Sequence, residues 1–214
     1  MKKIAIYGAG GFGREVACVI NAINAEKPAW HLVGFFDDGL AKGHRNKYGV
    51  VLGGINELNR ITEALHVVFS IANPAVLTTL TAKITNPLVE FPNLFAPGVI
   101  LYDRDSVTIG KGNLFLFAGR ISCDVCIGNF NLANSGVSMG HDAQVGNCNI
   151  LGPMLRLSGN SKVGDGNFFG VNSLVLQGIR VGNKTTIGAG SVVMRHTQDG
   201  WLYFGNPAKK IQLK

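Results

Sequence analysis

The stretch IGKGNLFLFAGRISCDVCIGNFNLANSGVSMGHDAQVGNCNILGPMLRLSGNSKVGDGNFFGVNSLVLQGIRVGNKTTIGAGSVV, residues 109–193, brings an apolar residue back at every sixth position without an insertion. The series runs from Ile109, Phe115, Ile121 and Ile127 to Ile187 and Val193. A longer period lies over it: IGKGN, IGNFN, VGNCN, VGDGN and VGNKT start at residues 109, 127, 145, 163 and 181, eighteen apart. Hexads grouped in threes predict a parallel β-helix whose coil is a triangle of three short strands, with the sixth-position residue pointing inward. The small residue that often comes after it, as at Gly110, Gly128, Gly146 and Gly164, is expected at a sharp corner where a Cβ would crowd the backbone. A β-sandwich with glycine-rich turns would need period-two alternation and irregular loops, which the hexads lack.

The chain has 214 residues, 46% hydrophobic and 15% charged, which suits one or two folded domains and not a disordered segment. It starts MKKIAIYGAGGFG; Tyr7 and the glycines interrupt the apolar run and no small-residue cleavage site comes after it, so a signal peptide is not expected. No apolar stretch approaches the roughly 20 residues of a membrane span. The cysteines are Cys18, Cys123, Cys126 and Cys148. The lone Cys123-x-x-Cys126 has no second pair or histidines at ligand spacing, so no metal is expected and a reducing cytoplasm is the natural location. The net charge of +7 comes from dispersed basic residues not interleaved with aromatics. That pattern suits a phosphate-bearing small molecule better than nucleic acid.

Ahead of the repeats, Lys2 to Tyr7 predicts a buried strand running into Gly8-Ala9-Gly10-Gly11-Phe12-Gly13. A helix is predicted over Arg14 to Ala25 from the spacing of Val16, Val19, Ile20 and Ile23, then a strand over Leu32 to Phe36 that ends in Asp37-Asp38. In such a βαβ unit, backbone N–H groups at the helix start hold phosphates and the acid takes a ribose hydroxyl. Only about 90 residues precede the repeats, too few for a two-halved dinucleotide domain, so a mononucleotide half-domain fits. A third strand is predicted over Val67 to Ile71 and a helix from Pro74 carrying Val76, Leu77, Leu80 and Ile84. Pro87, Pro92 and Pro97 punctuate the connection to the repeats, which sets an α/β Rossmann-like domain at 1–95 and the all-β domain at 96–214. The β-helix faces are expected to pack against other copies, a trimer being the usual solution.

The repeat region holds one histidine, His141, in the string NSGVSMGHD. It stands two places after inward-pointing Met139, just past a corner, where side chains point outward. Eighteen residues below is Cys123 and eighteen above is Gly159, whose missing side chain leaves room for an extended ligand along the axis. An imidazole can take a proton from an amine or hydroxyl near neutral pH, and the adjacent Asp142 can orient it.

Unbroken hexads with such corners resemble the left-handed β-helix acyltransferases. The glycine-turn half-domain with FFDD, SIAN at 70–73, NSGVSMGHD, LSGN at 157–160 and the GNPAKKI tail together resemble the sialic-acid O-acetyltransferase family of sugar acyltransferases. Nucleotide-aminosugar N-acetyltransferases belong to the same group. The resemblance implies a nucleotide sugar held by the N-terminal domain, acetyl-CoA in a groove between two β-helices of a trimer, and a histidine base. By position it makes His141 the base, Asp142 the acid that tunes it, and Asn134 a neighbour of the reacting groups. Gly10, Gly11, Phe12, Asp37, Asp38 and Ala72 would contact the nucleotide sugar, and Val171 and Ala189, with Gly159, would meet the coenzyme. Val171 and Ala189 share a column, with Pro153 a coil below, as a linear pantetheine arm requires. Ile150 stands where many relatives carry a second histidine near the acetyl group, and it cannot donate a hydrogen bond to the thioester.

The function expected is transfer of acetyl from acetyl-CoA to an amino group of a nucleotide-linked sugar, with an alcohol as the less favoured acceptor. O-acetylation of sialic acid or another sugar, and a non-catalytic trimer that binds nucleotide sugar or NAD, are the alternatives. A zinc hydratase would need three histidine ligands, and the coils supply His141 alone.

Overall fold

The computed structural model describes residues 1–211, and the chain forms two compact units, Met1–Pro97 and Gly98–Lys214. In the first, the order is β1 (Lys2–Tyr7), α1 (Gly11–Glu26), β2 (Trp30–Phe36), β3 (Arg45–Asn46), β4 (Gly49–Gly53), α2 (Ile55–Leu58), β5 (Leu65–Phe69), α3 (Pro74–Lys83) and β6 (Val89–Glu90). The sheet order is β3-β4-β2-β1-β5-β6, with only the β3–β4 hairpin antiparallel. Because β1 has a strand on each side, its Ile4, Ala5 and Ile6 are fully buried, as an unbroken apolar run demands. Helix α1 presses Val16, Ala17, Val19 and Ile20 into the core. At the C-terminal ends of the strands, Tyr7 stacks near Phe36 and Phe69, with ring centroids 6.4 and 5.7 Å away.

Several boundaries differ from the sequence reading. Helix α1 begins at Gly11, so half of the glycine string is helical and the turn proper is Gly8 to Gly10. Strand β5 covers Leu65–Phe69 instead of Val67 to Ile71. Helix α3 begins at Pro74 as expected, its start fixed by Asn73, whose side-chain oxygen accepts from the N–H groups of Ala75 and Val76. It stops at Lys83, leaving Ile84 outside and Val76 exposed. The hairpin β3–β4 carries no apolar alternation long enough to announce itself.

The second unit is a left-handed parallel β-helix of two-residue strands on three faces. One face stacks Leu114–Phe115, Leu132–Ala133, Ile150–Leu151, Phe168–Phe169 and Thr186–Ile187. A second stacks Arg120–Ile121, Ser138–Met139, Arg156–Leu157, Leu174–Val175 and Val192–Val193, and the third runs from Thr108–Ile109 to Arg180–Val181. Each strand pairs with the one eighteen residues on, in register. The sixth-position residues from Phe115 to Val193 are all buried; Ile109, at the open end of its face, is half-buried.

The glycines next to them in sequence serve stacking. A Cβ on Gly128 would lie 2.6 Å from the Gly146 carbonyl oxygen of the next coil. The sharp turn itself comes two residues later, where Ala118, Phe130, Asp142, Cys148 and Met154 hold φ between 54 and 59°. Most of these positions are not glycine, so each coil holds non-glycine residues in a left-handed conformation that packing must sustain.

One corner is built differently. Asn113, Asn131, Asn149 and Asn167 form a fully buried column in which the Nδ2 of each donates to the Oδ1 of the one below at 3.0 Å. The backbone N–H of each higher member donates to the same oxygen, and Thr185 N–H tops the series by donating to Asn167 at 2.7 Å. A second column, Asn129, Asn147, Asp165, Asn183 and Asp199, links adjacent coils at the surface in the opposite sense, the backbone N–H of each lower member donating to the side-chain oxygen of the one above. The far end closes with Leu202–Phe204, parallel to Thr186–Ile187 and antiparallel to Lys209–Ile211, where the Lys210 ammonium lies 3.3 Å over the Trp201 ring.

Replacing Asn149 by Ala leaves the N–H and Nδ2 groups of Asn167 without their buried acceptor. At about 1–3 kcal/mol per stranded group, the loss should total about 3 kcal/mol. Gln144→Ala, on an exposed strand of the third face, should cost less than about 0.5 kcal/mol. Urea denaturation monitored by circular dichroism compares the two; equal midpoints would show that the column contributes little.

Candidate functional site

The first candidate region is the glycine turn. Gly8 lies at φ +109°, and a Cβ there would meet the Ser70 hydroxyl, which donates to the carbonyls of Tyr7 and Gly8 at 3.0 and 2.9 Å. Gly13 lies against the Gly8 carbonyl, where any side chain would collide. Ser70, at the end of β5, therefore ties the turn to the neighbouring strand. Gly10 and Gly11 are exposed at the start of α1, where the first N–H groups of a helix lack intrahelical acceptors and can hold an anion. Phe12 is half-buried on the first turn of the helix, and Ala72 is exposed after β5.

Asp37 and Asp38 are already engaged. The Asp37 carboxylate accepts from Ala9 N–H and Gly39 N–H, both at 2.8 Å. Asp38 accepts from the Tyr7 hydroxyl at 2.6 Å and from Ile55 N–H at 2.9 Å. Burial, with the Asp38 carboxylate second, pushes the Tyr7 hydroxyl far above its ordinary range, so it remains a donor. Both acids thus brace the turn from within. Sequence reasoning misses Tyr7 and Ser70; the signal that could have found them is a polar residue at the C-terminal tip of each strand beside the turn.

The second region is the corner after Ser138–Met139. There His141 Nδ1 lies 2.7 Å from Asp142 Oδ2, both side chains more than half exposed. Asp142 occupies the left-handed corner position at φ 59°, and its N–H donates to the Cys123 carbonyl. The His141 carbonyl accepts from Asn160 N–H at 2.7 Å, so the coils above and below both hold this segment. The imidazole leans upward: a Cβ on Gly159 would lie 2.5 Å from its Nε2. Gly159 thus makes room for the histidine ring itself, and the groove inferred from its missing side chain is filled at this level. With Nδ1 held by a carboxylate, Nε2 is the nitrogen left to exchange a proton with a bound group.

The remaining predicted residues lie elsewhere on the prism. Asn134 is at the opposite end of the Ser138–Met139 strand, at the preceding corner, where its side-chain oxygen accepts from Ser135 N–H at 2.7 Å. Val171 and Ala189 are exposed on that same preceding corner, one coil apart, with Pro153 below them. Ile150 is buried at 3% exposure on the first face, which lies across the prism from the His141 corner. One chain therefore carries the proposed base and the proposed coenzyme-lining residues on two different corners. Among the described residues, no three histidine, cysteine or acidic side chains gather as metal ligands would, and no helix is long and apolar enough to cross a membrane.

Residues 3–84 match the PglD N-terminal domain family. Among solved structures, the acetyltransferase domain of PglB from Neisseria gonorrhoeae in complex with acetyl coenzyme A is 26% identical, with a TM-score of 0.87 over 98% of this chain and 99% of that one. A histidine-to-asparagine mutant of perosamine N-acetyltransferase from Caulobacter crescentus, in complex with CoA and GDP-perosamine, is 26% identical, with a TM-score of 0.85 over 99% and 98%. WeeI from Acinetobacter baumannii is 25% identical, with a TM-score of 0.87 over 99% and 100%. A comparison with curated protein sequences gives no match. Residues 3–84 thus resemble the PglD N-terminal domain, and the whole chain is similar from end to end to these sugar acetyltransferases of the hexapeptide-repeat kind.

Proposed function

We propose that the protein transfers acetyl from acetyl-CoA to an amino group of a nucleotide-linked sugar, with His141 as general base. The observation that carries this reading is the Asp142–His141 pair, with Nδ1 held at 2.7 Å and Nε2 turned over Gly159. Its likeness to a perosamine N-acetyltransferase in complex with CoA and GDP-perosamine favours an amine over an alcohol as acceptor.

In this mechanism the neutral sugar amine attacks the thioester carbonyl while Nε2 of His141 takes its proton. Asp142, hydrogen-bonded at Nδ1, fixes the tautomer and stabilises the imidazolium that forms. Collapse of the tetrahedral adduct breaks the carbon–sulfur bond, and the imidazolium returns the proton to the departing thiolate. The products are an N-acetylated sugar and CoA, with no acyl-enzyme. Ile150 is apolar and buried, so polarisation of the carbonyl falls to other donors, for which corner backbone N–H groups are suited.

Because Val171 and Ala189 occupy a different corner from His141, a groove lined by all three needs a second copy of the chain, which supports a homotrimer with three such grooves. The nucleotide part of the acceptor is assigned to the unit carrying the glycine turn. Acetyl-CoA and sugar nucleotides are cytoplasmic metabolites, so the cytoplasm is the proposed location.

His141→Ala should lower turnover by about a hundredfold or more while leaving acetyl-CoA affinity unchanged, the range for a lost general base. Steady-state kinetics with a thiol-release assay measures this, and wild-type turnover in the variant would remove His141 from the mechanism. Gly159→Ala should displace the imidazole from its pairing with Asp142 and slow turnover about tenfold, with an unchanged melting temperature. Full activity there would show that the ring position is not critical. For the acceptor, the same assay run with UDP-, dTDP- and GDP-linked 4-amino sugars and with free sialic acid should give CoA release with one of the nucleotide sugars. Release with free sialic acid alone would replace this reading with O-acetylation.

A further inference from the structure

Three large apolar side chains that the β-helix leaves exposed, Phe117, Met154 and Val171 at 39, 45 and 49% exposure, stand on one corner, the one before Ser138–Met139. Because Phe115, Ala133, Leu151, Phe169 and Ile187 pair in register, the residues two places after them form a column: Phe117, Ser135, Pro153, Val171 and Ala189. From Ser135 upward this column holds only small or flat side chains, and directly below Ser135 it meets an aromatic ring. The Gly136 N–H donates to the Phe117 carbonyl at 2.9 Å, which seats Phe117 under the Ser135–Gly136 segment. From the coil above, Met154 lays its Sδ over Gly136, where a Cβ would collide with it. Two apolar side chains from different coils thus bracket the same two residues.

The groove proposed above pairs this corner of one copy with the His141 corner of the next. A threefold rotation shifts nothing along its axis, so in a trimer whose β-helices lie along that axis equivalent coils stand level. Asn134–Gly136 and His141 belong to one coil, and the segment that faces the imidazole is therefore Asn134–Gly136 of the neighbouring copy. With the coenzyme arm running up the column past Pro153, Val171 and Ala189, a thioester held at the height of His141 points its acyl group the other way, toward Phe117. Paired strands lie about 4.8 Å apart and carbon atoms in contact about 3.5–4.0 Å, so an acetyl methyl at the Ser135 level has about 1 Å to spare above the ring, too little for a further methylene. We infer that Phe117 of the neighbouring copy closes the groove beneath the acetyl group and, with Met154 beside it, restricts the donor to a short acyl chain. The inference rests on the acetyl-CoA reading and on the groove between copies, and it adds the residue that sets the length of the acyl group.

Isothermal titration of the full chain with acetyl-, propionyl- and butanoyl-CoA, on the wild type and on the variants Phe117→Ala and Phe117→Leu, tests it without need of the acceptor. The wild type should bind butanoyl-CoA about a hundredfold more weakly than acetyl-CoA, the scale on which overpacking a closed apolar site is felt. Phe117→Ala should bring the two affinities within about tenfold of each other, and the smaller Phe117→Leu change should relax the preference against propionyl-CoA alone. Both variants should melt close to the wild type, since the side chain points out of the prism. If Phe117→Ala melts early, Phe117→Leu decides, and an unchanged preference against propionyl-CoA in it counts against the assignment. A wild type that binds all three within about threefold of one another, or a folded Phe117→Ala that keeps the hundredfold preference, would overturn the role of Phe117 and leave the acetyl-CoA reading intact. A wild type that binds none of the three would overturn both.

Discussion

Hydrogen bonding between side chains eighteen residues apart is the interaction on which the β-helix depends. At two of its corners the coils meet through backbone hydrogen bonds and close glycine contacts. At the third, the buried series Asn113, Asn131, Asn149 and Asn167 adds a continuous line of side-chain amides, each oxygen accepting twice from the coil above. An amide that accepts from above and donates below satisfies itself only if every coil contains the same number of residues. One inserted residue would strand several buried polar groups at once, each at a cost comparable to a large fraction of a domain's net stability. The absence of insertions from residue 109 to 193 has this physical cause.

That regularity determines what the other corners can be used for. With the coil fixed from one side, the corner carrying His141 can hold an exposed imidazole and its carboxylate at 2.7 Å without a large supporting loop. The histidine is anchored through its backbone to Asn160 above, and Asp142 through its own to Cys123 below. The proposed base and its orienting acid can be adjacent residues because the left-handed conformation of Asp142 swings its side chain back beside its predecessor. Pairs of this kind drawn from two distant elements need the fold to bring them together, and this one needs a single turn.

Much of this was legible in the sequence for reasons that can be named. The inward series from Phe115 to Val193 could be read because burial and period coincide without exception. The His141–Asp142 pairing could be anticipated because the residues are neighbours, and the column Cys123, His141, Gly159 because it needs only addition of eighteen. The strings IGNFN, VGNCN and VGDGN displayed both polar columns openly, yet which of their residues point inward depends on corner geometry that the period does not give. The same limit applies to Val171: thirty residues beyond His141 is five hexads and not a whole number of coils, so the two fall on different corners. In the first unit the strands and α1 could be read from apolar runs. The β3–β4 hairpin could not, because its two-residue strand β3 has no face to bury. The internal engagement of Asp37 and Asp38 was hidden because it depends on Tyr7 and Ile55, distant in sequence and joined to them only by the sheet.

The eighteen-residue register also has a kinetic side. Parallel sheets generally form slowly, because strands remote in sequence must find each other before any contact rewards the lost chain entropy. Here each strand's partner lies one coil away, as Ile150–Leu151 lies from Leu132–Ala133. Loop closure over so short a span costs little more than over a hairpin of half the length, since the penalty grows only with the logarithm of loop size. Once two coils have met, each further coil adds to a finished template at the same small entropic cost, so growth resembles zipping. A chain that emerges from the ribosome N-terminus first can therefore lay down its coils in the order in which they are made, with the hairpin of Leu202–Phe204 and Lys209–Ile211 arriving last to close the exposed edge.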